Sequence, residues 1–223
     1  MFNRSIGKKV FTGIIFSIIL GIYCGGCTSS DSYCGDCTSS DSDPVAIAKY
    51  KTFVTAATFT GDIQTAGGQA IGIASADALC MADTNKPAGS STYKAMLVDG
   101  TNRVACTTAL CSGGTSEHID WVLQPNAEYY RSDGTTLILK TNANGIFDFG
   151  ANLTNSFDTS ASTYWTGLLV DWTGDANNRC LGWSYGEYGP TLGGYGTGDQ
   201  TSSSAISGSD FCNVVRKLVC VEQ

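Results

Sequence analysis

The sequence predicts an α+β domain of short antiparallel strands with one or two helices, and three observations carry this prediction. Short runs of β-branched and aromatic residues recur between turn-forming residues. A single short stretch, "SADALCMADTNKP", combines a helix-like composition with start and stop signals. The chain has 27 glycines and only 15% charged residues, which is typical of a loop-rich domain and unlike a helical bundle.

The elements follow in order from residue 51. The β-branched and aromatic segment 51–62 predicts a strand. Ser75 is expected to be the N-cap of a short helix over 76–83, and Pro87 is expected to stop it. Further strands are expected at 93–100, in a hairpin about Asp133-Gly134, at 164–172 and in the C-terminal segment 213–222.

Residues 1–26 have the layout of a lipoprotein signal peptide. A basic start runs into the apolar segment 10–23, which is shorter than the roughly 20 apolar residues of a membrane-spanning helix. A cysteine after small residues resembles a bacterial lipoprotein signal, in which that cysteine is acylated and the chain is cut before it. Cys27 follows two glycines and is the preferred lipidation site, with Cys24 as the alternative. The lipid would hold the protein to a membrane.

The lipidation site lies in a ten-residue unit that occurs twice, as "YCGGCTSSDS" and then "YCGDCTSSDS". The two C-x-x-C pairs, Cys24 with Cys27 and Cys34 with Cys37, could in principle surround one zinc ion. The linker between the pairs is shorter than in two-knuckle zinc sites, and cleavage would remove or modify a ligand. A local disulfide bond between Cys34 and Cys37 remains the other alternative.

Composition divides the rest of the chain into a spacer and one domain. Residues 27–47 are Ser-, Asp- and Gly-rich, which predicts a lipid-anchored flexible tether. Residues 48–223 have the length of a single domain. The formal net charge of -7 disfavours nucleic acid and other polyanions as partners. A small basic group near the C-terminus, Arg179, Arg216 and Lys217, is too small to change this interpretation.

Catalytic and metal-binding motifs are not found in the sequence. The single histidine, His118, stands beside apolar residues and is interpreted as structural. The triplet 124–126, "QPN", is interpreted as a turn and not as a lectin sugar site. The segment 171–178, "DWTGDANN", lacks the spacing of an EF-hand loop. We therefore expect no catalytic residue, no metal site and no cofactor.

Six cysteines in the domain predict disulfide bonds, because the chain is expected to be exported and their number is even. Their spacing leaves the pairing open. These cysteines are Cys80, Cys106, Cys111, Cys180, Cys212 and Cys220.

Several long segments together resemble one protein family. "FVTAATFTGD", "YKAMLVDG", "HIDWVLQPNAEYYRSDGTTLILKTNANGIFDF", "YWTGL" and "FCNVVRKLVCVEQ" occur in the order found in the leptospiral endostatin-like outer-membrane lipoproteins. This resemblance covers residues 50–223 and implies an endostatin-like variant of the C-type-lectin-like fold with long disulfide-stapled loops. It also implies an outer disulfide bond, Cys80 with Cys220, around an inner one, Cys180 with Cys212, and it leaves Cys106 to pair with Cys111.

The resemblance also implies a function. Members of the family are reported to bind extracellular-matrix proteins such as laminin and fibronectin, and complement regulators such as factor H. We therefore expect a non-enzymatic lipoprotein that is anchored in the outer membrane and exposed at the cell surface. Its domain is expected to bind host macromolecules. The alternatives are a calcium-dependent carbohydrate-binding lectin and a purely structural envelope lipoprotein without a host ligand.

The candidate ligand loop is the Gly- and Tyr-rich segment 182–199. Tyrosine supplies rigid amphipathic contact area and glycine an adaptable backbone, so Trp183, Tyr185, Tyr188 and Tyr195 are the candidate contact residues. The alternative is that these tyrosines cover the core. The tryptophans in this part of the chain stand in or beside apolar segments and are expected in the core, Trp183 included.

Overall fold

The structure is a computed structural model that describes residues 46–223, and it is a mixed α+β fold. The signal peptide, the lipidation site, Cys34, Cys37 and nearly all of the tether lie outside the described residues. The described residues form eight strands in two sheets. These strands are β1 (Lys49–Val54), β2 (Tyr93–Ala95), β3 (Glu128–Arg131), β4 (Leu137–Lys140), β5 (Thr163–Trp165), β6 (Leu192–Thr197), β7 (Ser209–Phe211) and β8 (Val219–Glu222).

The larger sheet has the strand order β2-β8-β1-β3-β4. Strand β1 runs parallel to β3, while the other pairs are antiparallel, including the predicted β3–β4 hairpin about Asp133-Gly134. The first and last strands of the domain are neighbours, with Phe53 opposite Cys220. The smaller sheet is antiparallel in the order β5-β6-β7.

Apolar side chains cover both faces of the larger sheet. In β8, Val219 and Val221 contact one buried cluster, and Cys220 between them contacts the other. Phe53 and Val54 of β1 are divided between the two clusters in the same way. Successive strand residues point to opposite faces, so this alternation shows that the sheet lies between two hydrophobic layers.

The helices lie together on one side of this sheet. They are α1 (Ile63–Gly67) and α2 (Gly72–Ala82), followed later by the short turn α3 (Cys180–Trp183). Single 3-10 turns occur at Ala109–Cys111, Gly114–Glu117 and Ser203–Ala205. Within residues 46–223, none of the helices is both long enough and apolar enough to cross a bilayer.

The predicted start of the main helix was wrong by one turn. Helix α2 begins at Gly72, and Ser75 lies inside it instead of capping it. The hydroxyl of Ser75 accepts from the N–H of Gln69 and donates to the carbonyl of Gln64, so it joins α1 to α2. Glycine is required at position 72 because a Cβ there would lie 2.4 Å from the carbonyl oxygen of Gly182.

Most predicted strands are longer than the observed ones. The segment 93–100 forms ladder pairs only over Tyr93–Ala95, although the residues from Met96 to Val98 are fully buried. The N–H of Met96 donates to the carbonyl of Val219 and that of Val98 to the carbonyl of Thr166, so these two residues bond to different parts of the chain. The runs of β-branched and aromatic residues therefore indicate which positions are buried. They overestimate the length of strand pairing at 51–62, 164–172 and 213–222 as well.

Three disulfide bonds join the six cysteines of the described domain. Cys80 of α2 is bonded to Cys220 of β8, Cys180 to Cys212, and Cys106 to Cys111. These are the pairs that the family resemblance implies.

A buried ion network holds α2 against the loop after β2. The guanidinium of Arg103 is fully buried and donates to both carboxylate oxygens of Asp77, at 2.9 and 2.7 Å, and to Asp120. Asp120 also contacts Lys94 of β2. Burial alone would lower the pKa of the guanidinium, but the hydrogen bonds and charge of Asp77 and Asp120 more than offset this and raise it. Arg103 therefore stays charged in the interior.

Besides its disulfide bond, the small loop 106–111 is held by hydrogen bonds to the carboxylate of Glu117. The carboxylate of Glu117 accepts from the N–H groups of Thr107, Thr108 and Gly113, and from the hydroxyls of Thr107 and Thr108. These donors, the Thr108 hydroxyl foremost, lower the pKa of Glu117 to about 2. The loop is therefore held by an ionised carboxylate.

Candidate ligand-binding surface

The candidate ligand loop begins with a left-handed turn. Four consecutive residues, Cys180, Leu181, Gly182 and Trp183, have φ values of 43°, 54°, 73° and 66°. Only glycine adopts this region without strain, and each other L-residue in it costs about 1–2 kcal/mol. Strain of this kind persists where the surrounding contacts impose it, and it is found preferentially at functional sites.

Two anchors impose this conformation. Cys180 is disulfide-bonded to Cys212. The indole of Trp183 is fully buried, packs 5.7 Å from the ring of Trp165 and donates from Nε1 to the carbonyl of Val98 at 2.8 Å. With both ends of the turn held in the core, Leu181 between them projects outward.

The three most exposed large apolar side chains of residues 46–223 stand on the segments that this disulfide bond joins, and Phe211 stands there too. Leu181 is 68% exposed, Tyr188 71%, Val215 57% and Phe211 37%. The rings of Tyr188 and Phe211 pack on each other with centroids 4.5 Å apart. We call Leu181, Tyr188, Phe211 and Val215 the apolar group.

The four candidate contact residues differ in position. Trp183 lies in the core and not at the surface, as expected for the tryptophans; Trp165 and Trp172 are fully buried too. Tyr185 and Tyr195 are half-buried and pack against the buried cluster that contains Phe53 and Cys220. Tyr188 is the most exposed of the four, so of the predicted set it is the residue best placed to meet a partner.

Tyr195 has a structural partner. The guanidinium of Arg216 stacks on its ring at 3.7 Å from the centroid, lies 5.1 Å from the ring centroid of Trp165, and forms an ion pair with Asp210. Arg216 is 5% exposed. Since β7 carries Asp210 next to Phe211, this stack fixes the strand that presents Phe211.

The basic residues near the C-terminus do not form one surface patch. Arg179 donates from Nε to the carbonyl of Asp175 at 2.6 Å and contacts the carbonyl of Asp99, so its guanidinium is used to hold two loops. Arg216 is buried in its aromatic stack, whereas Lys217 is half-buried in a separate cleft.

His118 and the "QPN" triplet, which were weighed as a catalytic residue and a sugar site, have structural roles. Nδ1 of His118 lies beside the carbonyl of Ala105, and Nε2 lies 2.9 Å from the carbonyl of Asn144. Asn126 has a φ of 52° and occupies a turn, as predicted for the "QPN" triplet.

The segment 171–178 uses its carboxylates locally. Asp171 accepts from both the N–H and the hydroxyl of Thr173, and Asp175 accepts from the N–H of Asn177 and the side-chain amide of Asn178. Across residues 46–223, no set of three or more His, Cys, Asp or Glu side chains is grouped so that it could hold a metal ion.

Three members of the apolar group were missed in the sequence: Leu181, Phe211 and Val215. Leu181 and Phe211 each stand next to a cysteine of the Cys180–Cys212 bond, whose Cα atoms are 5.7 Å apart. The disulfide pairing implied by the resemblance was therefore the signal that could have related Leu181 to Phe211, whose ring packs on Tyr188.

Comparison with known proteins adds a family. The chain matches the profile of a family described as "Protein of unknown function (DUF1554)" over residues 62–201, which is more than half of its length. No curated protein compared with the chain matches it. The matched segment contains both helices, the left-handed turn and Tyr188, and it ends before Phe211. The chain belongs to the DUF1554 family of proteins of unknown function.

Proposed function

We propose that this protein is a non-enzymatic surface lipoprotein whose domain binds host macromolecules. The expected partners are extracellular-matrix proteins such as laminin or fibronectin, or complement regulators such as factor H. In this proposal Cys27, or alternatively Cys24, carries the lipid in the outer membrane, and the tether separates the domain from the bilayer. The domain is proposed to be an endostatin-like variant of the C-type-lectin-like fold.

The exposed apolar group is the observation that carries the proposal. Isolated apolar side chains on a surface need no explanation, but aromatic residues that pack together and remain exposed are a feature of protein-binding sites. Tyr188 and Phe211 form such a pair, and a disulfide bond and the Arg216 stack hold the segments around them. A rigid aromatic surface loses little conformational entropy on binding, which favours affinity.

Electrostatics favour the same type of contact. The chain has a formal net charge of -7, and Arg179 and Arg216 are engaged inside the domain. A partner recognised mainly by a basic patch would bind more weakly as salt increases, because salt screens exposed charges. We therefore expect binding through the apolar group to change little between low and physiological salt.

Two features support the proposed fold. The Cys80–Cys220 bond joins the main helix to the last strand, and the Cys180–Cys212 bond lies inside it in sequence. This nested arrangement is the one that the resemblance to endostatin-like lipoproteins implies.

A binding panel tests the function. The full-length protein is titrated over immobilised laminin, fibronectin and factor H, with serum albumin as the control surface. We expect saturable binding to at least one of the three. The absence of saturable binding to all of them would remove the proposal's main support, and a loss of binding in EDTA would favour the calcium-dependent lectin instead.

Protease treatment of intact cells tests the location. A surface-exposed domain is degraded without permeabilising the cells, whereas a domain that faces the periplasm is protected. Protection would contradict host binding and would leave a structural envelope lipoprotein as the better account.

A further inference from the structure

A polar cleft opens where β3 ends beside β1. The parallel pairing ends with Thr52 opposite Arg131, and β1 continues through Phe53 and Val54 without that neighbour. The cleft has a volume of about 550 Å³, which is within the usual range for small-molecule sites. It shares no residue with the apolar group.

The carboxylates of this cleft already have donors. Both oxygens of Asp133 accept hydrogen bonds from Thr135 and Thr136 in the hairpin turn. Asp158 accepts from the N–H of Thr159 and from the hydroxyls of Ser160 and Ser162. The acceptors that line the cleft are therefore occupied by their own loops.

The cationic donors in the cleft, in contrast, have hydrogen-bonding capacity that the protein does not use. Within residues 46–223, the ammonium of Lys217 has no carboxylate within 4.0 Å. Arg131 uses Nε and Nη2 to hold Ser156 and Asp158, while Nη1 has no hydrogen bond in the described part of the chain. Lys217 and Arg131 therefore present cationic donors to this cleft.

We propose that this cleft binds an acidic saccharide. Its carboxylate or sulfate group would accept from Lys217 Nζ and Arg131 Nη1. Charged donors such as ammonium and guanidinium groups make the stronger hydrogen bonds to oxyanions. Ser132, Thr159 and Ser160 line the cleft, and hydroxyls can both donate to and accept from sugar hydroxyls.

This site goes beyond the proposed binding of host macromolecules by the apolar group. Because the two surfaces have no residue in common, substitution of Tyr188 and Phe211 should leave saccharide binding unchanged. Either proposal can therefore fail without the other.

The experiment is a calorimetric titration of the full-length protein with three probes. They are N-acetylneuraminic acid, its neutral methyl ester, and N-acetylglucosamine 6-sulfate. We expect at least one of the two acids to bind, and the ester to bind at least tenfold more weakly than the free acid if the carboxylate is the recognised group. The two acids show whether a carboxylate or a sulfate is preferred. If neither acid binds at millimolar concentration, or if the only acid that binds is N-acetylneuraminic acid and its ester binds equally well, the proposal is overturned.

Variants assign the binding to the cleft. Lys217→Gln is expected to weaken binding of the acid at least tenfold, with Lys140→Gln, an exposed lysine outside the cleft, as the matched control. Thr52→Val serves as a second control and should leave binding unchanged, because the hydroxyl it removes is buried and offers no surface to a ligand. Unchanged affinity in Lys217→Gln would contradict the assignment.

Discussion

Replacing Leu181 by glycine tests whether the left-handed turn of the candidate surface is held under strain. Leu181 has φ 54° and ψ 47°, the conformation that an L-residue avoids and glycine accepts. Its side chain is 68% exposed, so the substitution removes little buried surface. This separates the backbone effect from the packing effect better than at a buried position.

The expected change in the free energy of unfolding is the sum of three contributions. Relief of the left-handed conformation stabilises by about 1–2 kcal/mol. The greater entropy of glycine in the unfolded chain costs about 0.5–1 kcal/mol. Loss of the buried third of the side chain costs about 0.5–1 kcal/mol, since complete burial of leucine is worth about 1.5–3 kcal/mol. These contributions nearly cancel, so Leu181→Gly should change stability by less than about 1 kcal/mol.

Urea denaturation of the full-length protein measures this, with Leu79→Gly as the matched control. Leu79 lies in helix α2 and packs against the core, so its replacement should cost about 2–4 kcal/mol. Leu181→Gly should also weaken binding to the host ligand, because Leu181 belongs to the apolar group. A destabilisation as large as that of Leu79→Gly would refute the claim that the turn is strained.

Three further predictions concern what holds the domain together. Because the folded-state pKa of Glu117 is lowered to about 2, its contribution is present above its ordinary pKa and is lost as the pH falls through 2. Hydrogen exchange of its donor amides should be faster in Glu117→Gln than in wild type at pH 5, and the difference should shrink towards pH 2, where about half of the wild-type carboxylate is protonated; equal rates at pH 5 would contradict this. Arg103→Met should lower the free energy of unfolding by about 3 kcal/mol in urea denaturation. Lys94→Met, at the exposed end of the same network, should lower it by less than about 1 kcal/mol, and equal effects of the two substitutions would argue against a buried network. The double variant Cys80→Ala and Cys220→Ala should lose up to about 5 kcal/mol in the chain-entropy model, because the bond spans 140 residues; an unchanged urea midpoint would show that the bond contributes nothing.

The core of this domain could be predicted from the sequence better than its regular elements. Trp165 and Trp172 stand in or beside an apolar segment, and both are fully buried as expected. Strand ends could not be predicted, because the residues from Met96 to Val98 are as buried as those of β2 but bond to separate partners. Apolar and β-branched residues report whether a position is buried, and they do not report which backbone groups pair.

The candidate surface could be predicted only in part. Tyr188 follows from the composition of its loop, but the exposure of Leu181 depends on a backbone conformation that leucine disfavours. Phe211 is distant from Leu181 in the chain and no local pattern connects the two residues, but the Cys180–Cys212 bond joins their segments. The polar cleft was not found at all, because it arises where β3 ends and β1 continues, and this depends on strand register.

The most direct test of host binding through the apolar group compares affinity before and after substitution of the aromatic pair. The double variant Tyr188→Ser and Phe211→Ser removes the exposed rings, and the double variant Leu169→Ser and Val170→Ser removes comparably exposed apolar side chains from another segment. The full-length proteins are titrated over whichever of laminin, fibronectin and factor H binds the wild type, after thermal unfolding has shown that both variants are folded. We predict at least tenfold weaker binding for the Tyr188 and Phe211 variant, since aromatic residues dominate protein interfaces, and unchanged binding for the control. Wild-type affinity in the Tyr188 and Phe211 variant would contradict the claim that the protein binds its host ligand through the apolar group.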